Sequence, residues 1–357
     1  MSIDFRKGEK MSKDDLVGLN KETHKYQSFV PPQPVYIISG ASVVGEKEGE
    51  GPLGKLFDIV GDDVFFGGTN WEEAESALQK KSMELAITKA GINENELQLI
   101  FAGDLLAQSI ASSFGLVNFS VPVIGVYGAC SNSGLTLFLG AMALSAGIGD
   151  YVGCVTSSHF SSAEKEFRFP SAYGNQRPLS AHWTVTGSGA FILSKNKKEN
   201  SIQLTGFTAG QIVDFGLKEN LNMGACMAPA AADTIYRHFK DFEASPTDYD
   251  KIITGDLGRV GQKALLDLLS VNGYDISDRH IDCGIEIYDY ELQDTHAGGS
   301  GCACSAVVLA GQILKNIREG IWKKVLFVPT GALLSKMSYN EGQSVPGIAH
   351  AVILEAG

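Results

Sequence analysis

Two apolar runs in this chain end in the same triplet. Leu97-Gln98-Leu99-Ile100-Phe101-Ala102 leads into Gly103-Asp104-Leu105, and Lys251-Ile252-Ile253-Thr254 leads into Gly255-Asp256-Leu257. The surroundings recur too. A helix-forming stretch stands before each: Trp71 to Ala90, closed by Gly91, and Ala230 to Phe242. A small-residue turn, an Ala/Leu-rich helix and a short strand come after. In the first series these are Gly128-Ala129-Cys130-Ser131, Leu135 to Ala146, and Tyr151 to Thr156. In the second they are Thr295 to Cys304, a helix ended by Gly320, and Lys324 to Val328. Matched strand–helix–strand series predict a duplicated α/β unit. Each half alone would expose an apolar sheet face, so the two halves should pack together. The expected division is a polar N-terminal arm over 1–28, one half over 29–198 and the other over 199–357, with polar Lys195 to Ser201 as the joining turn. Met11 is a second candidate start.

Composition narrows the function classes. The chain has a formal net charge of -12 and no Lys/Arg-rich run, which argues against nucleic acid as a partner. No window approaches 18 uninterrupted apolar residues, so no membrane span is expected. Met1 to Lys25 carries both signs of charge and lacks the apolar centre of a secretory signal. The six cysteines have no metal-type spacing, and Cys302-Ala303-Cys304 is too tight for a zinc pair. Reduced thiols in a cytosol-like compartment are the expectation. Gly45 to Pro52 is glycine-rich and charged but lacks a Gly-Lys-Ser/Thr ending, so it reads as a solvated turn and not a P-loop.

The chemistry centres on Cys130. A strand, a tight turn and a buried helix place its thiol at a helix N-terminus, where unpaired N–H groups and the dipole lower a thiol pKa. The alternative is a small buried hydrophobe. His159, Arg168 and Arg177 follow the next strand, on the same edge if the sheet is parallel. With the helix N-terminus they form a candidate anion site. Each also has a plainer reading: a turn-capping histidine, and solvated or ion-paired surface arginines.

Gly128-Ala129-Cys130-Ser131 and His296-Ala297-Gly298-Gly299-Ser300-Gly301 resemble the paired motifs of the thiolase superfamily, with Thr295 where a leading glycine would stand. That resemblance implies a duplicated five-layer αβαβα thiolase-like fold, usually homodimeric, with a cysteine nucleophile and a histidine facing it. Further segments sharpen the match. Gly51 to Asp58, Phe101 to Leu106, Thr186 to Ala190, Met227 to Ile235, Thr254 to Leu257 and Ala297 to Val307, taken with the Cys130 turn, are similar to the stage V sporulation protein AD family. Membership would imply binding of dipicolinic acid, or its calcium chelate, for loading of the spore core. It would also imply integral membrane partners, a peripheral position at the spore inner membrane, and no cofactor beyond calcium carried with the ligand. No acyl transfer is established for that family.

The sequence departs from the condensing enzymes where Thr254-Gly255-Asp256-Leu257-Gly258 replaces a histidine or asparagine. An ionised carboxylate accepts hydrogen bonds and repels an oxyanion. Losing one oxyanion donor costs about 100- to 1,000-fold in rate. The expectation is therefore binding without turnover. The expected ligand-binding residues are Cys130, His159, Arg168, Arg177 and His296, with Cys130 and His296 as vestigial catalytic groups. Asp104 and Asp256 are candidate calcium ligands or turn formers. Two other readings stand: an acyl-transferring enzyme using Cys130 and His296, and a scaffold with a vestigial pocket.

Overall fold

The structure, a computed structural model, describes residues 27–168 and 177–357, together with a strand pairing of Ile3–Asp4 with Glu9–Lys10. The arm expected over 1–28 falls otherwise outside the described residues, apart from its end. There the Gln27 and Ser28 amides donate to Asp241, and Ser28–Phe29 pairs with Phe207 and Thr208.

Ten strands form the path of a twelve-stranded mixed sheet. In chain order they are β1 (Val35–Val44), β2 (Leu99–Gly103), β3 (Val123–Val126), β4 (Tyr151–Ser158), β5 (Gly187–Ser194), β6 (Ile202–Thr208), β7 (Lys251–Thr254), β8 (His280–Asp282), β9 (Lys324–Val328) and β10 (Ala351–Ala356). The spatial order is β8-β7-β9-β10-β6-β1-β5-β4-β2-β3. Adding five to each strand of the first half gives the second half in the same order. The senses repeat as well: β5 is antiparallel to β1 and β4, and β10 to β6 and β9. The remaining pairs, β4/β2, β2/β3, β9/β7 and β7/β8, are parallel. Duplication is thus visible in topology, and the halves meet where β1 and β6 pair over Ile202–Leu204.

The layers follow from which faces are apolar. The chain's outer helix α1 (Trp71–Ala90) packs on β1 and β5 through Met83, Ala86 and Ile87. It starts at Asn70, whose side chain accepts from the Glu72 and Glu73 amides, and ends at left-handed Gly91. Two short helices follow, α2 (Ile110–Leu116) and, after the cysteine turn, α3 (Asn132–Ser145); α4 (Phe160–Phe167) follows β4. On the far side α5 (Met223–Asp241) packs against α6 (Gly258–Val271). The central layer is α3 with α7 (Cys302–Val308), whose apolar residues join one core cluster with residues from both half-sheets. Ser133 and Ser305 hydroxyls meet at 2.6 Å between these two helices.

Two local expectations are corrected. The segment 45–55 is not a solvated turn: Glu46–Gly49 is a helical turn, and Glu48 is buried, accepting from the Thr186 amide (3.0 Å) and the Tyr288 hydroxyl. The helix expected from Ala230 begins at Met223 and runs through Pro229. Proline loses one helical N–H bond, but it sits in a stretch, Gly224 to Ile235, that is buried throughout, where packing outweighs propensity.

Candidate functional site

The Cys130 turn is held closed by its own side chains. Asn132 Oδ1 accepts from the Gly128 N–H (2.6 Å), and the Ser131 hydroxyl donates to the Gly128 carbonyl (2.6 Å). Ala129 adopts φ 49°, a left-handed conformation a non-glycine residue holds only when its surroundings enforce it. The short strand Thr330–Ala332 presses on the turn from the second half; a Cβ on Gly331 would lie 2.5 Å from the Gly128 carbonyl oxygen. From beneath, Cys302 donates to the Ala129 carbonyl (3.1 Å), and Asn132 Nδ2 reaches Cys302 Sγ (3.4 Å) and the Asp104 carbonyl (3.2 Å).

Cys130 is 6% exposed and forms part of the wall of a narrow cavity of about 40 Å³, partly open to solvent. Leu105, Tyr127, Phe167 and Leu334 form an apolar neck shared with a wider outer chamber. Arg168, Thr184, Ser300 and Asn220 supply polar groups. Thr184 and Ser300 are register partners on a two-stranded ribbon.

The thiol is not activated, contrary to expectation. Burial, and next the charge of Asp256, push Cys130 well above the ordinary thiol range. The helix dipole is outweighed because the thiol is buried and donates to Asp256, so a thiolate would be poorly solvated and beside a like charge. Asp256 itself is fully buried and raised to about 7, mainly by desolvation. It accepts from the Thr330 hydroxyl (2.7 Å) and the Gly301 N–H (3.1 Å). Asp282 fixes the loop that carries it, accepting from Thr254, Leu257 and Gly258.

Of the five expected ligand residues, Cys130 and Arg168 meet in this cavity. The others are placed elsewhere. His159 caps α4, accepting from the Ser161 N–H (3.1 Å), with Nε2 3.0 Å from the Val64 carbonyl; burial lowers its pKa. Arg177 pairs with Asp294 (2.7 Å) and lies over the Trp183 ring. His296 does not face Cys130. Its Nδ1 is 2.9 Å from the Pro178 carbonyl and its Nε2 3.0 Å from Asp294. Asp294 (φ 49°) and His296 (φ 53°) turn the chain so that Ser300, and not the imidazole, lines the cavity. Asp104 is spent on the Leu106 and Ser112 amides and the Ser112 hydroxyl, the pattern of a turn former. Among the described residues no group of three or more His, Cys, Asp or Glu side chains is arranged to hold a metal ion.

Three groups escaped the sequence reading. His182 is fully buried, donates from Nε2 to the Leu257 carbonyl (3.2 Å), and lowers to about 4 through desolvation. A Cβ on Gly258 would lie 2.5 Å from that nitrogen, and Gly258 has φ 61°, so glycine is required there. Glu164 pairs with Arg168. Its i,i+4 spacing on α4 was a legible signal. Glu75 is the third. It is buried on α1, accepting from Ser157 (3.0 Å) and Ser162 (2.6 Å).

Glu75 gives a pH prediction. Desolvation first, and the nearby Asp104 charge second, raise it from 4.5 to about 8. The native state keeps a proton that the unfolded chain releases, so stability falls as pH climbs from about 4.5 toward 8. Glu75→Gln removes that loss. Between pH 5 and pH 8 the wild type should lose roughly 3–4 kcal/mol relative to the variant, measured by urea unfolding at both values. Parallel pH dependence in the two proteins contradicts the assignment.

With the geometry in place, the comparisons define the class and then the family. The solved structures most similar to it include OleA from Xanthomonas campestris (TM-score 0.58, 14% identity, covering 90% of this chain and 98% of that one). They also include AbyA1, a tetronic acid condensing enzyme (TM-score 0.53, 13% identity, 90% and 99%). The fold is thiolase-like. Residues 25–355 match the family model for stage V sporulation protein AD. The stage V sporulation protein AD of Bacillus subtilis (strain 168) is 40% identical over 329 residues, 92% of this chain and 96% of that relative. The chain belongs to the stage V sporulation protein AD family, a family of sporulation proteins. No helix among the described residues is long and apolar enough to cross a membrane.

Proposed function

We propose that this protein binds dipicolinic acid, free or as its calcium chelate, in the Cys130 cavity without transforming it. In this reading it passes the ligand to integral membrane partners that load the spore core, resting peripherally at the spore inner membrane as a homodimer. The observation that carries the reading is the Cys130–Asp256 contact. A condensing step needs a thiolate nucleophile and a donor toward the developing oxyanion. Here the thiol keeps its proton, and a carboxylate occupies the place of a donor. What remains fits an aromatic anion: an apolar neck for a ring, Arg168 for a carboxylate, and hydroxyl and amide groups from Thr184, Ser300 and Asn220. The outer edge of β3, with Val123 and Ile124 exposed, offers unpaired backbone groups to a second copy.

Calorimetric titration with dipicolinate tests the reading. A saturable 1:1 signal is expected, weakened roughly thirtyfold by Arg168→Ala, the scale of one charge-assisted hydrogen-bonded pair. No heat with the wild type, or unchanged affinity in the variant, overturns it. A second reading, acyl transfer, draws on the retained thiol in its strained turn beside a cavity. Incubation with acyl thioesters and mass spectrometry decides: a Cys130 adduct that turns over favours the enzyme.

A further inference from the structure

Arg168 carries the single formal charge among the described residues that line the Cys130 cavity. It does not stand unpaired. One terminal nitrogen donates to Glu164, one turn back on α4, and the other to the His182 carbonyl (3.3 Å). The two side chains are only 10% and 17% exposed, so the pair is largely withdrawn from water. Burial lifts the Glu164 carboxyl above its ordinary range, against the pull of Arg168. α4 thus presents a guanidinium to the cavity with a carboxylate already in place on it.

We propose that Glu164 is a built-in competitor for Arg168, setting an affinity threshold that a ligand with one anionic group does not pass and one with two does. The proposal rests on the anion-binding reading above and names the residue that regulates it. An incoming carboxylate offers Arg168 the same chemistry that Glu164 supplies. Glu164 is tethered, so its effective concentration exceeds that of any free monocarboxylate. If Arg168 is free of Glu164 in about a tenth of molecules, the observed affinity of every Arg168-dependent anion falls about tenfold. A single-point ligand is left too weak to hold. A dicarboxylate bears the same loss but retains a second anchor where Thr184 and Ser300 stand side by side. The arrangement also keeps the empty cavity from burying an unpaired cation, which is costly.

The test uses the full chain and four variants, Glu164→Gln, Glu164→Ala, Arg168→Ala and the Glu164→Gln/Arg168→Ala double variant. Each is titrated calorimetrically with pyridine-2,6-dicarboxylate and with pyridine-2-carboxylate. Glutamine keeps an acceptor for Arg168 and removes the charge, which separates competition from positioning. Glu164→Gln should tighten both ligands by about the same factor, roughly tenfold, and Glu164→Ala should also tighten both. In the Arg168→Ala background the Glu164→Gln change should have less than a twofold effect. Unchanged or weaker binding by Glu164→Gln, while the wild type binds the dicarboxylate, overturns the competitor and leaves the anion reading standing. Equal tightening without Arg168 overturns it too, since Glu164 would then act by simple repulsion. If neither wild type nor Glu164→Gln binds either ligand, the anion reading fails and the competitor fails with it.

Discussion

Asp256→Asn should make Cys130 react with iodoacetamide roughly thirtyfold faster at pH 8 than in the wild type. At that pH Asp256, raised only to about 7, is ionised in most molecules. A thiolate formed in hydrogen-bond contact with it meets a like charge. Two such charges about 4 Å apart at an effective dielectric of 20 repel by about 4 kcal/mol. Half of that, after relaxation, is still more than one pKa unit, and each unit is tenfold in thiolate. Asparagine keeps a carbonyl oxygen for the Gly301 N–H and places its NH2 where the other carboxylate oxygen accepted from Thr330, whose hydroxyl can accept in turn, so the loop need not rearrange. Site-resolved mass spectrometry of native protein reads the rate. Cys302, which is fully buried, is the internal control and should stay unlabelled in both proteins. A Cys130 rate that does not change means burial alone keeps the thiol neutral.

Gly331→Ala should destabilise the protein by about 3 kcal/mol. The added methyl would stand 2.5 Å from the Gly128 carbonyl oxygen, 3.1 Å from the Ser131 nitrogen and 3.2 Å from the Cys130 nitrogen. All three are backbone atoms of a turn already held at a left-handed Ala129. No side chain can rotate away, so one strand must move. Overpacking of this kind costs about 1–3 kcal/mol, and more where backbone must shift. Gly125→Ala is the matched control: its Cβ meets nothing within 4 Å on the exposed β3 edge, and a change within about 0.5 kcal/mol is expected. Urea unfolding of the two variants gives the comparison. Equal stabilities would show that the second half does not brace the cysteine turn.

Much of the fold was legible because it rests on repetition and punctuation. The Gly-Asp-Leu strand ends are the ends of β2 and β7, and α1 spans Trp71–Ala90 as its helix formers and Gly91 indicate. Cys130 stands at the strand-to-helix turn that its small neighbours imply. The site was less legible, for a physical reason. Spacing shows which residues follow a strand, but not which way the following loop turns them. His159, Arg168 and Arg177 all follow β4; the first caps α4, the second reaches the cavity from its far end, and the third reaches Asp294. Charge state was least legible. The helix dipole argued for an activated thiol, and desolvation beside Asp256, a contact across 126 positions of sequence, reverses it.

The repeat also has a chemical symmetry. Asp256, from the second half, acts on Cys130 of the first, and Asp104, from the first, acts on Cys302 of the second. Both crossed couples have thiols driven toward neutrality by the same two influences, burial and a carboxylate. They differ in contact and in solvent access: Cys130 donates to Asp256 and looks into the chamber, while Cys302 donates to the Ala129 carbonyl and is sealed. A half-length ancestor that paired with its own copy would have carried two equivalent such couples. In the fused chain the equivalence is broken: one thiol faces the chamber and its counterpart is locked in the core.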